Sequence, residues 1–480
     1  MKDLIKSKRY VFLRSQEACV WLTGSMLALV LLLLFGMLSL IAWKGMLHFW
    51  PSPVALVKLH NEEVLLGEII GSEDVLDNDA VITGRKLQLK RGNRDREPSD
   101  FVWLENKDIA EISYPLDATL VERKEWGEFY GFPSRLIDKG NAIANGTQET
   151  LSGFSSLLEQ SRLRPDADDA VIEFDDVRGA AVAIPIKNVV RLYSPNALGL
   201  FGRIAIALEK AWEFVSGDPR EANTEGGVFP ALFGTVLMVF VMTLFVTPFG
   251  VLAGIYLKEY AKPGVWVSTI RISVNNLAAV PSIVFGVFGL GFFVYFLGGS
   301  IDSIFFADSL PSPTFGTGGI IWASLTLALL TVPTVIVATE EGLTAIPREL
   351  REGSYALGAT KLETLIGVVI PSLLPSIFTG VILAVSRAAG EVAPLMLTGV
   401  VKHAPALAVD ASWPFLHLDR KFMHLGFSIY DVGFQSPNVE AAQPLLYATT
   451  LLLLLIVVMC NIAAIVLRNR FRRKLGRQGI

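Results

Sequence analysis

Two cysteines, Cys19 and Cys460, are all the thiol chemistry in a chain of 480 residues, and both fall at or within long apolar runs. No cysteine lies in a polar segment, so a disulfide framework is excluded. Charge is scarce as well. Asp, Glu, Lys and Arg make up 18% of the chain, hydrophobic residues 52%, and the mean hydropathy is +0.48. That is too apolar for an ordinary soluble protein of this size. The five histidines (His48, His60, His403, His417 and His424) are scattered without metal-ligand spacing, so no metal site is expected. No G-x-x-x-x-G-K-[ST] loop is present, which leaves the chain without recognisable machinery for ATP hydrolysis. No Ser/His, Cys/His or paired-Asp arrangement lies in the apolar runs, which argues against an intramembrane enzyme. There is no internal repeat and no low-complexity tract, and no nucleic-acid partner is expected.

What the chain does have is six predominantly apolar stretches of about 20 residues or more, the length that spans roughly 30 Å of hydrocarbon. They are placed at Trp21 to Trp43, Phe229 to Leu257, Ser273 to Gly298, Gly318 to Thr339, Ile370 to Leu397 and Leu445 to Leu467. Lys2, Lys6, Lys8 and Arg9 precede the first, as in a signal peptide, but its length and lack of a small-x-small cleavage site make it a retained anchor. Lys and Arg concentrate in both tails and in the segments between spans two and three and between spans four and five. By the positive-inside rule both termini are expected in the cytoplasm. Trp413, Phe415, Phe422 and Phe427, between spans five and six, read as an outer interfacial belt.

Residues 44–227 differ in kind, with 31 acidic and 21 basic residues. The orientation above makes this insert extracytoplasmic, and it is long enough to bury its own core. Alternation and short β-branched runs predict strands at Val54 to Leu59, Val64 to Ile70, Val81 to Leu89, Phe101 to Ile112 and Ala170 to Tyr193. Thr119 to Arg162 looks more helical. Ala197 to Val215 is amphipathic at helical spacing, suited to lying against the membrane surface or the domain. The expectation is an α+β accessory domain.

The segment between spans four and five carries Pro347, Glu349 and Glu352 where a helix begins, and Gly358 where one would stop. A short exposed helix held between two spans suits docking into a groove of a cytoplasmic partner. The spacing Glu352, Gly353, Ser354, then Gly358 and Pro371, resembles the Glu-Ala-Ala-x-x-x-Gly coupling motif of bacterial ABC-importer permeases, with Gly353 and Ser354 in place of the two alanines. Thr247-Pro248-Phe249-Gly250, Ala253 to Leu257, Pro281 to Val284, Ser354-Tyr355-Ala356-Leu357-Gly358 and Arg387 to Leu395 are similar to the phosphate-importer permeases. The Ala393-Pro394-Leu395 ending is closer to the A-type subunit than to the C-type. These motifs cover most of Phe229 to Leu467 and leave residues 44–227 uncovered. Some permeases of this type carry an arginine where this chain has Val337, so no role is carried over to that position.

Arg387 and Glu391 sit near the far end of the fifth run. A charge in hydrocarbon costs roughly 3 kcal/mol on insertion scales, so it is retained for a reason. Four residues apart on one helix face, the two can pair, and Gly380, Ala384 and Ala388 let a neighbouring helix approach beside them. The planar fork of Arg387 matches phosphate oxygens. Its expected role is to meet an anion in transit, with Glu391 holding it in position. The alternative is a salt bridge that locks this span to a neighbouring subunit. Ser282 and Thr247, beside Pro281 and Pro248, are further candidates for the path, where a broken helix exposes donors.

The expected fold is therefore an all-α polytopic membrane protein with six transmembrane helices and the type I importer permease core, plus the insert. Its parts are a tail at 1–20, helix one at 21–43, the insert at 44–227, the core at 228–467 with a coupling segment at 340–369, and a basic tail at 468–480. The resemblance implies a permease subunit of an ATP-driven phosphate importer in a bacterial inner membrane, with the insert in the periplasm. It implies a C-type permease partner, a cytoplasmic ATPase dimer that binds ATP and Mg, and an extracytoplasmic phosphate-binding protein. Glu352, Gly353, Ser354, Tyr355, Ala356 and Gly358 would then touch the ATPase. The rival readings are a permease for another oxyanion, and a membrane receptor or enzyme acting through its outer domain.

Overall fold

A computed structural model describes residues 16–76, 82–96, 99–138, 141–146, 149–150, 153–154, 170–220, 223, 225–436 and 439–477. In chain order, the helices are α1 (Gln16–Leu47), α2 (Leu200–Ser216), α3 (Phe229–Tyr260), α4 (Val265–Leu277), α5 (Ser282–Phe305), α6 (Ile320–Ala345), α7 (Arg348–Ala356), α8 (Lys361–Gly390), α9 (Ala393–Thr398), α10 (Leu425–Tyr430) and α11 (Val439–Arg477). Six of these are long and apolar enough to cross a membrane: α1, α3, α5, α6, α8 and α11.

α6 is the hub of the bundle. Its buried side chains, among them Ala323, Leu327, Leu330 and Val335, pack with Met238, Met242 and Val246 of α3 and with Ala384 and Ala388 of α8. Glycines set the spacing. A methyl group placed on Gly250 would lie 2.7 Å from the Val335 side chain, and one on Gly254 2.8 Å from Thr339. On the other side, one on Gly380 would meet Ala338 at 2.8 Å and one on Gly342 would meet Ser376 at 2.4 Å. With little hydrophobic drive between helices in lipid, such close approach of backbones is what holds them together. α1 stands apart, touching α11 where Gly45 meets the Tyr447 carbonyl and Leu451.

The boundaries of several spans depart from expectation. The third was placed from Ser273, but Ala278 to Pro281 interrupt the helix, so Val265–Leu277 is a separate exposed helix and the span begins at Ser282. The fifth was placed at Ile370 to Leu397 and instead runs from Lys361 to Gly390. It starts early because Thr360 and Glu363 form a reciprocal cap at its first turn. It stops early because Gly390 is followed by extended backbone at Glu391 and by Pro394 in the first turn of the next helix. The sixth helix continues past Leu467 to Arg477, so Arg468 lies in the helix and donates to the Thr379 hydroxyl at 3.2 Å. In the loop between the fifth and sixth spans Trp413 and Phe415 are exposed, whereas Phe422 is buried in the bundle.

The insert is built on antiparallel sheets. One sheet has the order β4-β3-β2-β1-β5: Phe101–Glu105, Ile82–Lys90, Val64–Leu76, Val54–Leu59 and Ile109–Ser113. The other has the order β10-β9-β7-β6-β11: Ala181–Pro185, Val171–Asp175, Glu128–Asp138, Thr119–Arg123 and Val189–Tyr193, with β8 (Asn141–Asn145) pairing β7. The helical expectation for Thr119 to Arg162 is thus wrong over β6, β7 and β8, and its remainder lies largely outside the described residues. Leu120-Val121-Glu122-Arg123 reads as amphipathic because two charges follow two apolar residues, yet all four are buried. Glu122 takes Lys210 at 2.8 Å as well as Arg191, and Arg123 takes Asp95 at 3.0 Å. The turn itself carries the missed signal: Trp126 and Gly127 both have positive φ, the conformation of a tight hairpin.

Charges also bind the sheets of the insert to α2. Arg191 reaches Glu213 at 2.8 Å and Glu209 at 3.2 Å, and Arg220 reaches Glu213 at 2.8 Å. Beside them, burial and then the neighbouring Glu128 carboxylate push Glu68 and Glu225 each up to about 7, while the Lys90 ammonium helps hold Glu128 at about 2. The first strand of the insert is stapled to the segment leading into α2: the Asn196 side chain accepts from the Val54 N–H at 3.0 Å and donates to the carbonyls of Val54 and Pro115.

The packing at Gly342 predicts that Gly342→Val destabilises the bundle by about 1–3 kcal/mol through overpacking. Thermal unfolding in detergent should show a lower midpoint, while Gly367→Ala, at a helical position open to 4 Å, does not lower it.

Candidate functional site

Arg387 is brought to the last turn of α8, and Glu391 is the first residue beyond it. The guanidinium Nε lies 3.6 Å from Glu391 Oε1, with the two side chains 34% and 21% exposed. At that separation they form an ion pair and not a charge-assisted hydrogen bond, which would be near 2.8 Å. This is the only polar contact of Arg387 among the described residues, so most of its five donors remain open. The small residues foreseen beside the pair do form a packed stripe: Gly380, Ala384 and Ala388 are buried against α6. Arg387 sits at the edge of that stripe, half-exposed beside the exposed Leu383, and is not enclosed by this chain.

The break after Gly390 has a defined architecture. α9 runs beside the first turns of α5, with Gly286 against Pro394 and Gly289 against Thr398. It ends at Gly399, whose φ of +149° suits glycine and where an added Cβ would lie within 3 Å of the Gly319 backbone. The Gly319 N–H donates to the Thr398 carbonyl, fixing this short helix to the start of α6. Pairing of Gly286 with Pro394 and of Gly289 with Thr398 runs parallel, which puts Ser282, one turn earlier on α5, toward the break. Thr247 lies on α3 beside the interhelical stripe of Val246 and Gly250. Both hydroxyl residues are half-buried, and neither is hydrogen-bonded to Arg387 or Glu391 among the described residues. The structure therefore joins Arg387 to Glu391 and leaves Thr247 and Ser282 as separate flanking positions.

Two polar links near this end of α8 escaped the sequence reading. The Ser386 hydroxyl donates to Asn461 Oδ1 of α11 at 2.6 Å, and Arg468 meets Thr379 two turns further along. A lone Asn in an apolar run was the available signal.

At the opposite end of α8, Glu352, Gly353, Ser354, Tyr355 and Ala356 lie on α7, which is exposed and carries no fully buried residue. Pro347 occupies the position just before its first turn, and Gly358, with φ of +89°, turns the chain out of it. Leu357 protrudes, 91% exposed. The helix is nonetheless anchored. Arg351 Nη2 lies 3.0 Å from Glu259 Oε1 at the end of α3 and donates to the Leu343 carbonyl at 2.8 Å. Lys361 donates to the Glu259 carbonyl and lies over the Tyr260 ring, 4.3 Å from its centre. The Ser354 and Thr364 hydroxyls bond to each other at 2.9 Å. One residue, Glu259, therefore ties α7, α8 and α3 together, and neither Glu259 nor Arg351 stood out in the sequence.

The membrane-spanning bundle thus has a charged break in one helix and an exposed, clamped helix between two spans. Among the described residues no group of three or more His, Cys, Asp or Glu could hold a metal ion. Residues 246–477 match the family of binding-protein-dependent transport system inner membrane components. The probable ABC transporter permease protein YqgI of Bacillus subtilis (strain 168) is 31% identical over 253 residues, 51% of this chain and 80% of the relative. The phosphate transport system permease protein PstA of Yersinia pestis is 33% identical over 274 residues, 57% of this chain and 81% of the relative. The chain belongs to the binding-protein-dependent permease family. An inward-facing structure of the MetNI methionine ABC transporter covers 54% of this chain and 96% of its own at 19% identity, with a TM-score of 0.37, too loose to add to that assignment.

Because Arg351 is the main side-chain anchor of α7, Arg351→Ala is expected to raise amide hydrogen exchange over 348–358 at least tenfold while leaving the buried turns of α6 protected. Unchanged exchange would mean the anchor lies elsewhere.

Proposed function

We propose that this chain is the A-type permease subunit of an ATP-driven importer of inorganic phosphate, lying in a bacterial cytoplasmic membrane. The observation that carries the reading is Arg387, held at a helix break by one loose ion pair with most of its donors free. Phosphate carries roughly one to two negative charges near neutral pH and cannot cross hydrocarbon bare. A guanidinium in low dielectric attracts it, and the adjacent carboxylate moderates that field so that the anion moves on. Glu391 has a second task, keeping Arg387 extended along the break. The hydroxyls of Thr247 and Ser282 serve as weaker donors along the same path. Support comes from relatives described as phosphate transport permeases, the Yersinia pestis protein among them.

The chain performs no chemistry of its own. Hydrolysis of ATP, with Mg, belongs to a partner ATPase dimer that receives α7, so that Glu352, Gly353, Ser354, Tyr355, Ala356 and Gly358 form the contact surface. A C-type permease completes the path and covers the half-exposed side of Arg387. An extracytoplasmic binding protein delivers phosphate. Both termini and α7 face the cytoplasm, and residues 44–227 face the periplasm. Closure of the ATPase pulls α7. Through Arg351, Glu259 and Lys361 that pull reaches α3 and α8 together, so the two helices flanking α6 move as a unit and access alternates.

Uptake of radiolabelled phosphate into vesicles is expected to fall at least tenfold for Arg387→Ala and less for Arg387→Lys, with assembly unchanged. Normal rates in both would end the anion-contact role, and loss of sulfate rather than phosphate uptake would reassign the substrate. Purification supplies a separate check: Glu352→Arg and Gly358→Val should each release the ATPase from the permease. Retention at full stoichiometry would place the docking surface elsewhere.

A further inference from the structure

α2 carries an apolar stripe that no described residue covers. Leu200, Phe201, Ile204, Leu208 and Trp212 recur at helical spacing, and Phe201, Leu208 and Trp212 are 87%, 66% and 73% exposed. The rotation that turns this stripe outward is fixed from the other side. Lys210 and Glu213 are held by Glu122, Arg191 and Arg220, and Ile206 packs with Val54, Leu120 and Tyr193 of the sheets. The helix cannot roll to bury the stripe without breaking those ion pairs.

The height of α2 is fixed as well. Phe214, in its last turn, packs edge-on against Phe49 at 5.3 Å and His48 at 6.2 Å, both just past the end of α1. The Phe214 carbonyl accepts from Val228 N–H, and the Gly217 carbonyl from Phe229 N–H, at the first turn of α3. The C-terminal turn of α2 therefore sits where two membrane spans end on the same side. Trp43 and Trp50 are exposed at that level, and aromatic residues gather where lipid meets water.

From this placement we propose that α2 lies in the lipid–water interface, its stripe of Phe201, Ile204, Leu208 and Trp212 set into the boundary between headgroups and acyl chains, so that the insert rests on the bilayer. Standing upright, the helix would lift Phe201 about 17 Å above the Trp212 level, at 1.5 Å per residue, and leave it in water. Lying down, it brings the whole stripe to the depth of Trp43. Lipid is the occupant because the last turn of α2 is packed on Phe49 just past α1, whose final turns carry the exposed Trp43, Met46 and Leu47. The proposal is independent of the substrate and of the role of Arg387.

The test is depth measurement on the full-length chain in vesicles of phosphatidylethanolamine and phosphatidylglycerol. With Cys19→Ser and Cys460→Ser as background, nitroxides are attached at single cysteines replacing Phe201, Ile204, Leu208 and Trp212, with Glu62, on an exposed hairpin turn, for comparison. All four stripe positions are expected to favour collision with oxygen over a water-soluble nickel chelate, and Glu62 the reverse. A preference for the chelate at the stripe would overturn the proposal, as would protection from both reagents, which would mean that protein covers the helix. A label-free measurement guards against perturbation. Headgroup-proximal brominated lipid should quench the unlabelled protein, which has nine tryptophans, at least 10% more than Trp212→Phe. Equal quenching would also overturn the proposal.

Discussion

Everything in the spanning part depends on how close α3 and α8 come to α6. Gly250 and Gly254 admit Val335 and Thr339 on one side, and Gly342 and Gly380 admit Ser376 and Ala338 on the other. A side chain at any of these would collide with atoms that have nowhere to go. The two contacts lie on one helix, so α6 acts as a spine against which both neighbours are registered. Val335 takes part in both, meeting Gly250 and approaching Gly380.

This registration explains why the ends of α8 can do different things. Its middle is immobilised by α6, while its first turn is capped by Thr360 and Glu363 and its last turn opens into extended backbone at Glu391. The opening exists because Gly390 and Pro394 end the helix before the apolar run ends, and the same event leaves Arg387 beside backbone that is no longer helical. At the other end Glu259 holds three elements with one carboxylate and one carbonyl. Charge is thus used sparingly within the bundle: to bind at one end of a helix and to remain available at the other.

How much of this the sequence revealed follows from what each signal measures. Hydropathy located all six spans, and the Glu352 to Gly358 spacing located α7, because length and turn residues are local properties. The ends of the third and fifth spans were misplaced because hydropathy does not sense helix breaks. Ser273 to Gly298 and Ile370 to Leu397 are both predominantly apolar runs, and the break in each is made by glycine or proline geometry inside the run. β6 was misread for the opposite reason: its charges imply a solvated face but are buried by partners distant in sequence, Arg191 and Lys210 for Glu122. The same blindness hid Arg351 and Glu259, whose meaning lies wholly in their pairing. Arg387 and Glu391 were legible as a pair because they are local to each other, whereas the half-exposure of Arg387 was not.

The staple at Asn196 has a mechanical consequence. Since Asn196 joins the first strand of the insert to the segment leading into α2, and the end of α2 meets both Phe49 past α1 and the first turn of α3, the insert leaves and rejoins the bundle at nearly the same place. A force on its outer surface is then delivered to the spans through a single root and not as tension between α1 and α3. α1, which touches the bundle through α11, can yield to such a load while α3, α6 and α8 keep their spacing. A large appendage can therefore be pushed or gripped at the surface without prising the conduit open.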